Sequence, residues 1–149
     1  MKVSRRATYG IMAVIDLALN GKEAPVQARV IARRQAIPIK FLEQVLHSMK
    51  RAGIIDSLRG AQGGYRLLKE PSVLSVADVL EVLDGPVLHR IAEHDTMADQ
   101  PVPKQEQVLG HVWDQVAQAE QDVLQKITID ELADRQRQME AHHHPMYHI

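Results

Sequence analysis

The chain contains no cysteine. That excludes disulfides, thiolate-held metals and clusters, and a cysteine nucleophile. Aromatic residues make up only 3%, so any core has to be aliphatic. No run of about 18 consecutive apolar residues occurs, and no membrane-spanning helix is expected. The opening MKVSRRATYG lacks the apolar stretch and small-residue cleavage site of a secretory signal, so a cytoplasmic protein is the expectation. The serine-hydrolase elbow, the phosphate-binding loop and the dinucleotide fingerprint are all missing. Acidic residues such as Asp114 and Asp122 pair with Gln118 and Lys126 at ordinary surface spacings on a helix. No catalytic residue is assigned, and an enzyme is not expected.

What is present is a globular composition, 45% hydrophobic and 25% charged over 149 residues. That length suits one domain, or one small domain with an appendage. The net charge of −1 conceals two opposite halves. Residues 1–70 hold 13 Lys/Arg against 5 Asp/Glu, a balance of +8; residues 71–149 hold 5 against 14, a balance of −9. A basic half joined to an acidic half is the pattern of a chain in which one part faces a polyanion.

Ser4 is placed to cap a first helix running to about Leu19, with Asn20-Gly21 as its stop. Ile11, Val14, Ile15 and Ala18 form its apolar stripe. Arg5 and Arg6 open that helix near the positive end of its dipole, where a phosphate partner would offset the mild repulsion. A short second helix is predicted over residues 27–34. A third follows from Pro38 to Ala52, burying Leu42, Val45, Leu46 and Met49 and presenting Lys40, Glu43, Gln44, His47 and Lys50. Two short helices with a tight turn, the second polar on its outer face, read as helix-turn-helix.

The next stretch, GIIDSLRGAQGGYRLL, reads as a β-hairpin over residues 53–68. Its loop, Arg59 to Gly64, holds three glycines and one arginine. Glycine allows the backbone conformations of a tight loop and close approach to another molecule, and arginine suits a narrow, negatively charged groove. A basic wing directly after a helix-turn-helix makes a winged helix. Further on, Ser75 and Asp78 form a capping box for a fourth helix, closed by Gly85-Pro86. A long helix is predicted from about Gln105 to Lys126. Leu109, Val112, Val116, Ala119 and Val123 form a narrow seam of the coiled-coil kind, with Trp113, Ala117 and Leu124 as a second stripe. Two stripes imply two neighbours, the helix's own domain and a second subunit. Thr128 and Glu131 open a last helix to about Glu140.

The fold class expected is therefore mainly α, a winged helix-turn-helix with a long C-terminal dimerisation helix. The chain divides into residues 1–70 for DNA binding, 71–104 for the fourth helix and a loop that family resemblance makes sensor-like, and 105–149 for the dimerisation helix, last helix and tail.

The segments SRRATYGIMAVIDLAL, IPIKFLEQVLHSMKRAGIIDSLRGAQGGYRL and WDQVAQAEQDVLQKITIDEL resemble the Rrf2 family of bacterial transcription regulators. The resemblance covers Ser4 to about Leu132. It implies a winged-helix homodimer that binds partly symmetric duplex DNA, often as a repressor. It also implies that Arg59 enters the minor groove, that Glu43 reads a base edge, and that Lys40 and Phe41 lie among the neighbouring contacts. Gln44, Lys50, Arg5, Arg6, Gly60, Gly63, Gly64 and Tyr65 complete the candidate DNA-binding set. The chemistry agrees: a carboxylate accepts from cytosine N4, and arginine fits a narrow A·T-rich groove.

One departure stands out. Many members hold an iron–sulfur cluster on three cysteines between the fourth and the long helix. Here the position six before Trp113 is Gln107, and the histidine position three before it is Gly110, with His111 turned about 100° away. Clusters are held mainly by thiolates, so no cofactor is expected. A small-molecule or protein effector stays open. The chain has eight histidines, among them His142-His143-His144, His148, and His89 and His94 beside Asp95. They leave open a histidine-based metal-responsive regulator, although no metal site is assigned. A winged-helix protein–protein adaptor that does not bind DNA is the other alternative; Lys40, Arg59 and Arg66 speak against it.

Overall fold

Ser4 begins the fold by doing two jobs at once. Its hydroxyl accepts from the Ala7 amide (3.0 Å) and caps helix α1, Arg5–Asn20, while its own amide donates to Asp84 (3.0 Å). These contacts are seen in a computed structural model, which describes residues 1–86 and 101–143. Helices α2 (Ala28–Gln35) and α3 (Ile39–Arg51) follow, then strands β1 (Ile55–Leu58) and β2 (Gly64–Leu67). Helices α4 (Val76–Asp84), α5 (Lys104–Lys126) and α6 (Ile129–His143) complete the described elements. The expected sensor segment of residues 87–100, with His89, His94 and Asp95, lies outside the described residues, as do His144 and His148.

The core forms where the amphipathic faces of α1, α3 and α4 meet. Ala13, Val14, Leu42, Val45, Leu46, Met49 and Val79 are fully buried there. At about 1.5–3 kcal/mol for each fully buried large aliphatic side chain, these faces are the main reason the helices hold. Helix α6 joins the same core: it packs on α1 through Ile129 and Ala133, both fully buried.

Two connections were not legible as local signals. Residues 74–76 and 127–129 lie side by side, with Val76 N–H donating to Ile127 O (2.9 Å) and Ile129 N–H to Leu74 O (2.8 Å). This short ladder joins the start of α4 to the start of α6. The Ser75–Asp78 capping box stands inside it, both bonds present at 3.1 and 2.9 Å. The second connection is a buried charge. Asp16, wholly inaccessible, accepts from Arg34 Nη2 (2.6 Å), Arg34 Nε (3.0 Å) and Gln35 Nε2 (2.8 Å). The pair ties the end of α2 to α1. A buried carboxylate is tolerated only when its lone pairs are satisfied in this way.

Helix α5 differs from all the others. Of its residues only Ala117 is buried, and Leu124 packs against the core. Of the second stripe, then, Ala117 and Leu124 face the domain while Trp113 stays 45% exposed. The seam stripe is uncovered throughout: Leu109, Val112, Val116 and Val123 are exposed, and Ala119 with them. Among the described residues, no helix is long and apolar enough to cross a membrane.

Candidate nucleic-acid interface

Helix α3 carries its apolar residues at positions 42, 45, 46 and 49, so the positions between them are turned outward by the 3.6-residue period. Lys40, Glu43, Gln44, His47 and Lys50 are all exposed. Pro38 stands immediately before α3, one place earlier than the first helical position expected for it. The turn between α2 and α3 is made by Ala36, which adopts a left-handed conformation (φ 52°).

Lys40, Glu43, Gln44, His47 and Ser48 line one open depression, and Arg6 of α1 closes its side. Arg6 is held there by a hydrogen bond from Nη2 to the Ser48 hydroxyl, which in turn lies 3.2 Å from the Gln44 carbonyl. The first arginines therefore do have protein partners, which sequence reasoning had not supplied. Arg6 is braced on α3, and Arg5 lies over the Tyr9 ring at 5.9 Å. Phe41 is half-buried, its ring edge-on to Tyr9 with centroids 5.3 Å apart. It supports the base of α3 from the core side. His47 and Ser48 were not among the assigned residues. Their signal was the helical spacing, since position 47 follows Glu43 by four and Gln44 by three.

The wing is built from an antiparallel pair in which Ile55 faces Leu67, Asp56 faces Arg66, Ser57 faces Tyr65 and Leu58 faces Gly64. A two-stranded hairpin is marginal by itself, and two further attachments hold this one. Val26, ahead of α2, exchanges backbone hydrogen bonds with Tyr65 (2.9 and 2.8 Å), acting as a one-residue third strand. Lys50 of α3 donates to the Ser57 hydroxyl on β1. The exposed polar helix and the wing are thus joined directly.

All three glycines of the loop are required by geometry; at Gly63 a Cβ would stand 2.1 Å from the Leu58 carbonyl oxygen. Gly60 has φ 108°, a conformation other residues rarely adopt. Gly64 has φ 149°, and a Cβ there would stand 2.6 Å from the Val26 carbonyl, in the way of the third-strand contact. Arg59 is exposed beside them. Among the described residues it has no ion-pair partner, whereas Arg66 lies 3.8 Å from Asp56.

Residues 3–135 match a family model described as Rrf2, iron-dependent transcriptional regulator. The regulator CymR of Bacillus subtilis is 32% identical over 133 residues, 89% of this chain and 90% of that protein. The regulator IscR of Aliivibrio salmonicida is 37% identical over 87 residues, 58% of this chain and 52% of its own. Among solved structures, that of CymR, called the global cysteine regulator of B. subtilis, superimposes with a TM-score of 0.74 at 30% identity. It covers 91% of this chain and 98% of the other. IscR of T. potens does so with 0.70 at 33%, covering 91% and 88%.

An iron–sulfur cluster held by thiolates does not fit the donors present. There is no thiol anywhere in the chain. Gln107, at the start of α5, spends its side-chain amide on the Val102 carbonyl (2.9 Å). Among the described residues no three His, Cys, Asp or Glu side chains come together. With a family model spanning most of its length and a winged helix shared with solved members, the chain belongs to the Rrf2 family of transcriptional regulators, without that family's thiolates.

Proposed function

We propose that this chain is a homodimeric, sequence-specific DNA-binding regulator, acting in the cytoplasm as a repressor. The observation that carries the reading is the pairing of an uncovered polar face on α3 with an exposed Arg59 wing that Lys50 and Val26 tie to the same small body. The HTH-type regulators CymR and IscR support it. In this reading Glu43 and Gln44 present hydrogen-bonding groups to base edges in the major groove. Lys40, Lys50, Arg5 and Arg6 meet phosphates and set the register. Arg59 enters an adjacent minor groove, with Gly60, Gly63 and Gly64 letting the backbone approach. Residues 1–70 are the DNA-binding part, 71–104 hold α4 and the segment suited to an effector, and 105–149 carry the dimer seam. No small-molecule or protein effector is assigned.

The test is titration of the full chain and two variants against a selected and a scrambled duplex at two salt concentrations. Arg59→Ala is expected to weaken specific binding by about 1–3 kcal/mol and to flatten the salt dependence, because fewer counterions are released. Glu43→Ala is expected to lose discrimination between the duplexes while non-specific affinity holds or rises. Wild-type affinity and salt slope in Arg59→Ala would remove the wing from the groove and favour the adaptor. Repression is checked by transcript levels next to the bound sites, which should rise when the protein is absent.

A further inference from the structure

The depression on α3 holds one imidazole. His47 is exposed there, flanked on its own helix by Lys40, Glu43 and Gln44, with Arg6 of α1 across the depression. The other elements packed on α3, namely α2, α4 and β1, contribute no residue to that lining. Of the charged neighbours, arginine and lysine keep their charge across pH 5 to 8, and a glutamate is ordinarily ionised throughout that range. Imidazole is the side chain that ordinarily gains a proton within it.

We infer that His47 is a further DNA contact, one that binds phosphate in its protonated form and makes DNA affinity depend on proton uptake. This rests on the DNA-binding reading above. Position 47 lies on the same helical face as Lys40, Glu43 and Gln44, at spacings of seven, four and three, so a duplex that meets those residues also meets the imidazole. Phosphate favours the charged ring on binding. The sign follows from linkage: a group that binds its proton more tightly in the complex strengthens binding as pH falls. The gain grows from above the complex's titration point and levels off below that of the free protein. Affinity is expected to rise about fourfold per head from about pH 7.5 to about pH 6.

The experiment uses the full chain and a duplex selected by it from a random-sequence pool. Affinity is measured across that pH range at fixed salt, for the wild type, His47→Gln and His47→Arg. Glutamine and arginine are both good helix formers, and the site is exposed, so the fold is not at stake. The wild type is expected to tighten with acid. His47→Gln should be flat and weaker at the acid end, and His47→Arg flat and tighter than the wild type at the alkaline end. A flat wild-type profile, or a His47→Gln profile as steep as the wild type's, overturns the assignment while leaving DNA binding intact. Failure to select any duplex overturns the DNA-binding reading itself, and this inference with it.

Discussion

Helices α3 and α5 are both amphipathic, and each leaves the opposite kind of face bare. On α3 the apolar side is finished: Leu42, Val45, Leu46 and Met49 are fully covered, and the polar side meets solvent. On α5 the bare side is aliphatic. Leu109, Val112, Val116 and Val123 are 43% to 59% exposed along about 21 Å of helix. A bare face of charges and hydrogen-bonding groups is content in water and suited to a polyanion. A bare aliphatic stripe of that length is suited to another apolar surface. The chemistry of the missing partner can thus be read from the side of the helix its own chain leaves uncovered. The proposal above assigns DNA to the bare face of α3 and a second copy of the chain to that of α5.

The largest expected effect separates the two helices. Val116→Glu puts two like charges at the centre of the seam, costing several kcal/mol if they stay ionised in an apolar interface. Sedimentation should show a monomer, while far-UV circular dichroism stays that of the folded chain, because Val116 is 47% exposed within one copy. An unchanged dimer would break the comparison by showing that another face pairs. Next in size is Arg34→Ala, which leaves the inaccessible Asp16 with Gln35 as its remaining side-chain partner. A loss of about 3 kcal/mol is expected, seen as a lower Tm. Because this change lies within one copy, the drop should persist at every protein concentration, unlike the effect of Val116→Glu. The smallest is Ser75→Ala, which removes the cap on α4 and should cost about 1 kcal/mol in the same thermal measurement.

Much of this architecture is legible in the sequence. The caps at Ser4 and Ser75, the apolar faces of α3 and α4, and the glycine-rich hairpin came close to their expected places, while the buried face of α1 centres on Ala13, Val14 and Leu17 and leaves Ile11 and Ile15 of the expected stripe half-buried. The polar face that holds Glu43 and Gln44 also came close to its expected place. These features depend on residues three or four apart, or on the backbone freedom of one glycine, and such short-range chemistry is written in order along the chain.

Other features needed the folded molecule. Asp16 meets Arg34 across 18 positions, Arg6 meets Ser48 across 42, and Val26 becomes a strand only because Tyr65 arrives beside it. Which stripe of α5 lies on its own domain was likewise undecided by periodicity, since both have helical spacing. Ala117 and Leu124 turn inward because α4 and the core stand on that side. Residue type and spacing by themselves determined which surfaces each element could bury. The tertiary structure decided which of them it did bury, because a contact between distant positions exists only once the chain has brought both ends to one place.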